Sequence, residues 1–546
     1  MTKFIIHKPS KSIILPHSLK DQILPNIAQA KEIEVQGKKL LAVKHGVNEA
    51  ATLHRLGFTQ IPSPIQYYYN WPKIKGKFDP FEHQKKMGAF YTLHKKCFNL
   101  STMGVGKTEG SLLGYDFLKQ QGIVNKVLIF APLSCLEKVW GDAIFHSFPQ
   151  YTYTILHGSS KKRKENLEHD VDIYIANHDA VKVFVNKQEV KNKEGKVIRE
   201  TYVINPDFKK LLDVDLIIID EMSVFRNGST GLFKSLQAIV QPRHRIWGLT
   251  GTPTPNAPTD AWALAKIINP DNIDKYFGGF KRRTMMQIGG GPFPKWIPQQ
   301  NAHHTVRDVL QPAVMFRKED CIDLPPVTYL DRLCELTSDQ LKHYKSMKKD
   351  MVMLHDDKEI SAVNAADRVI KLRQILCGAI KADADDYISL DCKPRINLVL
   401  ELIEEAAAKV ILVVPYKGIL RMLKKEIAKH YTIEIVNGDV PPKERNRIFT
   451  DFQEAKNPRV LAVHPEVVSH GLTFTAANYL IFYSPIDSSD QYLQVCERMP
   501  RPGQVNNMSV IHIFANSLEQ KIYEGLKERK SFQSMALDLY KEEIAK

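Results

Sequence analysis

The sequence predicts an α/β protein with two doubly wound lobes, each built on a parallel sheet, and a small N-terminal accessory domain. Short apolar runs, typical of strands buried on both faces, alternate with helical patterns between residues 78 and 315. The same alternation returns between 316 and 546. Parallel strands joined by crossover helices produce this pattern. The predicted domains are therefore 1–77, 78–315 and 316–546.

Individual elements follow from local texture. Residues 1–77 contain three short β-like runs and end in a stretch rich in tyrosine, proline and lysine. A segment that favours helix without strands, 338–378, belongs to the second lobe. The predicted strands of the two lobes are 127–132, 171–177, 215–220, 410–415, 460–464, 479–483 and 510–514.

Composition favours a polyanionic partner. The chain has 546 residues and a net charge of +15, and a positive surface binds nucleic acid by releasing condensed counterions. None of the seven cysteines forms a CxxC pair, which fits a reducing compartment. No window approaches the roughly 20 apolar residues of a membrane span. We expect a soluble, intracellular protein of the cytoplasm, or of the host cytoplasm if viral, without membrane contact.

The strongest local signal is STMGVGKT, residues 101–108. A glycine-rich turn before a helix directs backbone N–H groups at phosphate oxygens. The lysine reaches the terminal phosphates, and the threonine hydroxyl ligates Mg²⁺. Ser101 stands where the common pattern has glycine. The predicted nucleotide-binding residues of this loop are Gly104, Val105, Gly106, Lys107 and Thr108.

A second acidic signal follows a predicted strand. Asp220 and Glu221 end the run LIIID-E, where the carboxyl end of a parallel strand opens onto the ligand crevice. We expect Asp220 to hold Mg²⁺ with Thr108, and Glu221 to orient and polarise the attacking water. Gln84, about twenty residues before the phosphate loop, is the candidate for reading an adenine edge with its amide.

The second lobe carries a candidate set of phosphate-binding arginines. In QVCERMPRPGQ, residues 494–504, the spacing places Gln494, Arg498 and Arg501 on one helix face. Two prolines predict that the helix ends or distorts there. An arginine delivered from a second lobe stabilises charge on a transferred phosphoryl group only when the lobes close.

In this order the motifs resemble superfamily 2 helicases, specifically the Swi/Snf-like DNA translocases, in a compact form that suggests a bacterial or phage member. The resemblance covers about 81–526. The matching segments are Gln84 (Q-motif), 103–108 (motif I), 131–140 (Ia), 175–181 (Ib), 220–223 (II), 249–258 (III), 316–327 and 371–378 (interlobe), 410–420 (IV), 469–478 (V) and 494–504 (VI).

The resemblance implies two RecA-like lobes, Mg²⁺-ATP as fuel, and stepping along one strand of a duplex. It implies that Gly471 and the 473–475 segment sense nucleotide and touch the tracked strand. Thr473 stands where the family usually has asparagine, and residues 464–469 before it also differ from the family's usual sequence.

Three functions remain open at this level. The first is a monomeric, DNA-stimulated ATPase that translocates on duplex or branched DNA and remodels forks or displaces bound protein. The second is a strand-separating helicase. Its wedge would be the insertion 187–203, which predicts a hairpin and is otherwise a solvated ribbon. The third is a non-hydrolysing DNA clamp, which the complete set of ATP-site residues disfavours.

Overall fold

The chain divides into two compact units, Met1–Cys321 and Ile322–Lys546. The computed structural model describes residues 4–74, 76, 78–191, 197–255, 257–288, 295–321, 323–355, 362–381, 387–468 and 473–528. Residues 1–77, predicted as a separate domain, group with the first unit. Residues 316–321, predicted as part of the second lobe, also group with the first unit. The three predicted domain limits stay predictions.

The N-terminal region forms an antiparallel four-stranded sheet, ordered β1-β2-β4-β3. Alternate residues of its strands, such as Ile13 and Leu41, face a small apolar core. The sequence missed β2, whose alternation is short. The elements are β1 (Ile5–His7), β2 (Ser12–Pro16), β3 (Lys31–Val35), β4 (Lys38–Lys44), α1 (Lys20–Ile23), α2 (Val47–Arg55) and α3 (Ile65–Tyr68).

The rest of the first unit is built on a seven-stranded sheet in which every pair is parallel. Its central strands are entirely buried because helices cover both faces. The strands of this sheet are β5 (Lys96–Asn99), β6 (Val127–Ala131), β7 (Tyr153–Leu156), β8 (Ile173–Asn177), β11 (Leu216–Ile219), β12 (Arg245–Leu249) and β15 (Ala313–Val314), in the order β15-β5-β12-β11-β6-β8-β7.

Two hairpins interrupt this unit. One pairs β9 (Val185–Lys191) with β10 (Val197–Ile204), so the predicted hairpin is confirmed and its turn lies outside the described residues. The other pairs β13 (Met285–Ile288) with β14 (Lys295–Pro298). The helices are α4 (Glu82–Leu93), α5 (Lys107–Gln120), α6 (Asp142–Ser147), α7 (Ser160–Glu168), α8 (Val181–Phe184), α9 (Gly231–Ile239), α10 (Ala261–Ile268), α11 (Phe277–Thr284) and α12 (Ala302–Val309).

The second unit holds a six-stranded parallel sheet, ordered β16-β23-β22-β19-β21-β20. Its strands are β16 (Val327–Leu333), β19 (Lys409–Val413), β20 (Ile433–Val436), β21 (Val460–Val463), β22 (Ala477–Phe482) and β23 (Met508–Phe514). A hairpin joins β17 (Ala379–Lys381) to β18 (Tyr387–Ser389). The helices are α13 (Ser338–His355), α14 (Ala362–Cys377), α15 (Lys393–Glu405), α16 (Lys417–Ile427), α17 (Pro442–Glu454), α18 (Pro465–Val468), α19 (Ser489–Cys496) and α20 (Ser517–Lys527).

The predicted fold class, two tandem RecA-like α/β lobes with a small N-terminal domain, is confirmed by these two parallel sheets. All seven predicted lobe strands are present, and the predicted helical segment is α13 followed by α14. Among the described residues, no helix combines the length and apolar character that a bilayer crossing requires.

Candidate nucleotide site and arginine segment

Three adjacent strands of the first unit end at the same edge. In the register of the sheet, Asn99 of β5 lies beside Leu249 of β12, and Gly248 of β12 lies beside Ile219 of β11. The phosphate loop follows β5, the threonine-rich segment 250–254 follows β12, and Asp220 follows β11. The fold therefore brings these three predicted motifs to one crevice at the carboxyl ends of the strands.

The phosphate loop has the backbone of an anion-binding turn. Gly104 and Gly106 adopt φ values of +79° and +77°, which side chains with a Cβ rarely allow. Helix α5 begins at Lys107, so its unsatisfied N–H groups point toward the loop. The Lys107 ammonium donates to the carbonyl oxygens of Ser101 at 2.9 Å and Thr102 at 3.2 Å. The lysine is only 9% exposed and is held against the loop that it is predicted to serve.

Helix α4 locks onto the loop through two neighbouring side chains. His83 Nε2 donates to the carbonyl oxygen of Val105 at 2.8 Å, and burial lowers the pKa of His83. The buried Gln84 accepts the N–H of Phe81 at 2.9 Å through Oε1. A Cβ at Gly106 would overlap Nε2 of Gln84, so the amide fills the space that the glycine leaves. Gln84 thus lies directly on the phosphate loop.

The serine that replaces the first glycine has a structural partner. Ser101 is fully buried, and its hydroxyl accepts the N–H of Phe316 at 2.9 Å. The Thr102 hydroxyl accepts the N–H of Lys318 at 2.9 Å. The Thr102 N–H donates to the carbonyl oxygen of Phe316 at 3.0 Å. The segment 312–318 is therefore bonded along the loop, and a glycine at 101 would remove one of its acceptors.

The carboxylate of Asp220 is oriented from two sides. Trp140 Nε1 donates to Oδ2 at 3.1 Å, and the N–H of Glu221 donates to Oδ1 at 3.0 Å. His178 Nε2 donates to the carbonyl oxygen of Asp220 at 2.7 Å, and burial lowers the pKa of His178, which favours the neutral ring. Glu221 adopts a φ of +48°, a left-handed conformation that is uncommon for a residue with a side chain.

Sequence reasoning missed these orienting residues. Trp140 lies in a π-helical turn, Leu136–Gly141, and His178 follows β8. Both fall inside segments that were matched to helicase motifs, 131–140 and 175–181, but neither was singled out. Their signal is the type of residue: an indole or imidazole N–H is a hydrogen-bond donor, and Trp140 donates to the carboxylate of Asp220 and His178 to its backbone carbonyl.

The residues present fit Mg²⁺ and a nucleotide. Carboxylate and hydroxyl oxygens are the donors that Mg²⁺ prefers, and Asp220 with Thr108 supplies one of each. The left-handed turn at Gly104 and Gly106, directly before the start of α5, is the backbone conformation of an anion-binding loop. Among the described residues, no group of three or more His, Cys, Asp or Glu side chains gathers to hold a metal. Mg²⁺ bound with a nucleotide needs only one or two protein oxygens.

The arginine segment belongs to the second unit and corrects one expectation. Helix α19 ends at Cys496, so Arg498 and Arg501 follow the helix, and the prediction that they share a helix face with Gln494 is wrong. Pro500 and Pro502 explain this, because each lacks the N–H that a continuing helix needs. The accompanying prediction that the helix stops near these prolines is confirmed.

The side chains of the segment are held by specific contacts. Arg498 is buried, and Arg501 donates through Nε to the carbonyl oxygen of Glu497 at 3.1 Å. Arg501 also donates through Nη1 to the hydroxyl of Thr473 at 3.0 Å. The amide oxygen of Gln494 is buried and accepts no hydrogen bond from the described residues. Motif V thus touches motif VI within this unit, whereas Gly471 lies outside the described residues.

Comparison with known proteins decides the family. The SNF2-related domain matches residues 90–380, more than half of the chain, and the helicase conserved C-terminal domain matches 394–503. The chain belongs to the SNF2-related family. The predicted Swi/Snf-like identity is confirmed, and the chain contains both domains of a helicase-type enzyme.

Curated relatives of this SNF2-related protein are distant. Protein p41 of Acyrthosiphon pisum secondary endosymbiont phage 1 is 25% identical, over 80% of this chain and 94% of the relative. DNA annealing helicase and endonuclease ZRANB3 of Homo sapiens is 22% identical, over 84% of this chain and 40% of the relative. The chain therefore spans about two-fifths of the length of the human protein.

A solved structure, titled as the Sulfolobus solfataricus SWI2/SNF2 ATPase core in complex with dsDNA, also aligns with the chain. Its sequence identity is 21%, its TM-score is 0.39, and the alignment covers 87% of this chain and 97% of that chain.

Proposed function

We propose that this SNF2-related protein is a DNA-stimulated ATPase that couples ATP hydrolysis to translocation on duplex DNA, with remodelling of forks or branches. The observation that carries the proposal is the shared edge of β5, β12 and β11. There the phosphate loop, the threonine-rich segment and the Asp220–Glu221 pair lie at the ends of neighbouring strands. A binding clamp needs no such set, because these residue types serve phosphoryl transfer.

Each residue of the first unit receives a role in the proposal. Lys107 and the loop N–H groups of Gly104, Val105 and Gly106 bind the phosphates, and Gln84 reads the adenine. Thr108 and Asp220 hold Mg²⁺, which would neutralise phosphate charge when bound. Glu221 orients and polarises the attacking water. Trp140 holds the Asp220 carboxylate in one orientation, as partners of metal ligands commonly do, and His178 holds the backbone carbonyl of the same residue.

The second unit contributes the charge that couples hydrolysis to movement. Arg498 and Arg501 carry guanidinium groups that fork onto phosphate oxygens, and Gln494 adds an amide. If they reach the phosphates only when the units close, hydrolysis and domain motion become one cycle. The contact between Arg501 and Thr473 supports this proposal, because it ties the arginine to the motif that is expected to follow the nucleic acid strand.

DNA is the proposed track because the net charge is +15 and the chain belongs to the SNF2-related family. A relative is named as a DNA annealing helicase, which supports fork or branch remodelling. We propose that the protein acts as a monomer in the cytoplasm, or in the host cytoplasm if viral.

The test compares ATP hydrolysis without DNA and with single-stranded, duplex, forked and four-way DNA of equal nucleotide content. We expect duplex and branched DNA to stimulate turnover more than single strands, and Glu221→Gln to retain bound ATP while turnover stops. If none of these DNA substrates changes the rate of ATP turnover, the proposal is contradicted. A triplex-displacement assay reports translocation on the duplex without requiring strand separation.

A strand-separating helicase is the second candidate, favoured by the observed hairpin of β9 and β10. Lys187 of β9 pairs with Glu200 of β10 at 2.7 Å within the hairpin, and Lys234 of α9 pairs with Glu200 at 3.7 Å, which joins the hairpin to α9. A wedge requires such an attachment to the rest of the unit. Replacing the hairpin by a short glycine linker and measuring strand displacement separates the two candidates, because duplex translocation should survive and wedge-driven unwinding should not.

A further inference from the structure

A continuous cationic stretch lies outside the nucleotide site. Between residues 275 and 307 the chain has six lysines and arginines and no aspartate or glutamate. Its described part includes α11 and the β13–β14 hairpin. Five residues near the start of this stretch form what we call the Tyr276 surface: Lys275, Tyr276, Phe277, Lys281 and Arg282. None of them has a role in the proposed ATP chemistry.

Two aromatic rings of this surface lie in solvent. Tyr276 is 71% exposed and Phe277 is 45% exposed. Burying a large apolar side chain stabilises a fold, so adjacent exposed rings indicate a contact surface. Lys275 Nζ lies 5.5 Å from the centroid of the Tyr276 ring, which places a positive charge beside an exposed aromatic face.

The surface is held in place from below. Trp262 Nε1 donates to the carbonyl oxygen of Asp274 at 2.9 Å, and the Trp262 ring packs edge-on against Phe277 at 5.8 Å. Arg283 pairs with the carboxylate of Asp274 at 2.7 Å. The Asp274 carboxylate, which directly precedes the surface in the chain, is therefore neutralised, and the turn that displays the two rings is fixed to α10 and α11.

The remaining cations keep their charge available. Within the described part of the chain, Lys275, Lys281 and Arg282 form no ion pair. Lys281 Nζ lies 3.8 Å from the centroid of Trp296 on β14, so the hairpin orients this ammonium without neutralising it. Exposed rings beside unpaired cations suit a partner that has both flat bases and phosphates.

We propose that the Tyr276 surface binds an unpaired segment of DNA, with bases stacked on Tyr276 and Phe277 and phosphates held by Lys275, Lys281 and Arg282. Duplex DNA satisfies only the cations, because its bases are already stacked inside the helix. This inference rests on the proposed function and gives it a substrate: DNA in which a duplex meets a single strand.

The first test measures binding without ATP, by fluorescence anisotropy of a labelled thymidine oligonucleotide of about 20 nucleotides, longer than a typical stacking site. Tyr276→Ala is expected to weaken binding about tenfold, and the double variant with Phe277→Ala more than that. Tyr276→Trp retains a ring and should bind as the wild type does. Phe145→Ala removes another exposed ring, 66% exposed in the same unit, and should change affinity less than twofold.

The second test separates stacking from charge. Replacing Lys275, Lys281 and Arg282 by alanine should reduce the salt dependence of single-strand binding by about 0.7 for each cation lost. The aromatic variants should leave that slope unchanged, and their affinity for duplex should stay within twofold of wild type. Equal losses on single strands and duplex would mean that the rings do not stack on bases, and would overturn the proposal.

ATP turnover distinguishes this proposal from the proposed function. Duplex-stimulated turnover of Tyr276→Ala should match that of wild type, while the extra stimulation by a fork over a duplex should fall. A wild type without any DNA-stimulated turnover contradicts the proposed function, whereas anisotropy still tests the surface. An unchanged single-strand affinity in the correctly folded double variant would refute the proposed surface. Binding to phosphatidylserine vesicles that the double variant loses and the other proteins keep would also refute it.

Discussion

The nucleotide site of the first unit and the arginine segment of the second unit are built differently. Lys107, Gln84 and Asp220 are each held by several contacts inside their own unit, so the geometry of the loop is complete in one fold. Arg498 and Arg501 follow the end of a helix, in a stretch interrupted by prolines. A phosphate-binding turn needs fixed N–H directions, which the start of a helix supplies, whereas Arg501 is held in an irregular segment by its bonds to Glu497 and Thr473.

The largest expected effect is at the first site. Lys107→Ala removes the ammonium that neutralises phosphate charge, and we expect ATP turnover to be abolished. A coupled phosphate-release assay with saturating DNA measures it. Lys182→Ala removes an exposed lysine of the same unit and should have turnover within twofold of wild type. Normal turnover in Lys107→Ala would show that the loop is not the catalytic site.

The second unit provides the next effect. Arg501→Ala should lower kcat by about 10³- to 10⁵-fold with little change in nucleotide affinity, because a finger acts on charge that develops during transfer. Arg501→Lys should not restore kcat, since an ammonium lacks the fork. Arg447→Ala, which breaks exposed pairs with Glu444 and Asp451, is the control. If kcat of Arg501→Ala equals that of the control, Arg501 has no catalytic role, and the arginine segment is not part of the ATPase site.

Prediction from sequence succeeded where chemistry is local. The Asp220–Glu221 pair could be placed at a strand end because the apolar run 215–220 is typical of a buried parallel strand. The loop 101–108 was identified from its own glycine and lysine pattern, whereas the short strand before it, β5, was not predicted. Prediction from sequence failed where a contact joins distant segments. Ser101 is only a departure from the common glycine in the sequence, and the structure shows that its hydroxyl accepts the N–H of Phe316. The helical spacing of Arg498 and Arg501 gave a wrong prediction for a local reason, because the two prolines end the helix despite that spacing.

A smaller effect probes the oriented carboxylate. Trp140→Phe keeps the ring but removes the N–H that Asp220 Oδ2 accepts. Loss of such a partner costs about 10- to 100-fold in metal affinity or activity, so the Mg²⁺ concentration for half-maximal turnover should rise by that factor. Trp262→Phe removes an indole hydrogen bond to a backbone carbonyl elsewhere and should leave the Mg²⁺ requirement unchanged. An unaltered Mg²⁺ titration in Trp140→Phe would deny Asp220 its metal role.

The smallest effect concerns Ser101, where this chain departs from the common glycine. Ser101→Gly removes the acceptor for the N–H of Phe316, a loss worth about 1 kcal/mol. The loop then loses part of its attachment to segment 312–318, and we expect KM for ATP to rise about fivefold with kcat nearly unchanged. Ser101→Ala keeps a Cβ and loses the same hydroxyl, so an equal rise assigns the effect to the hydrogen bond. If Ser101→Gly instead binds ATP more tightly, the hydroxyl restrains the loop against nucleotide, and the first site is less complete than its contacts indicate.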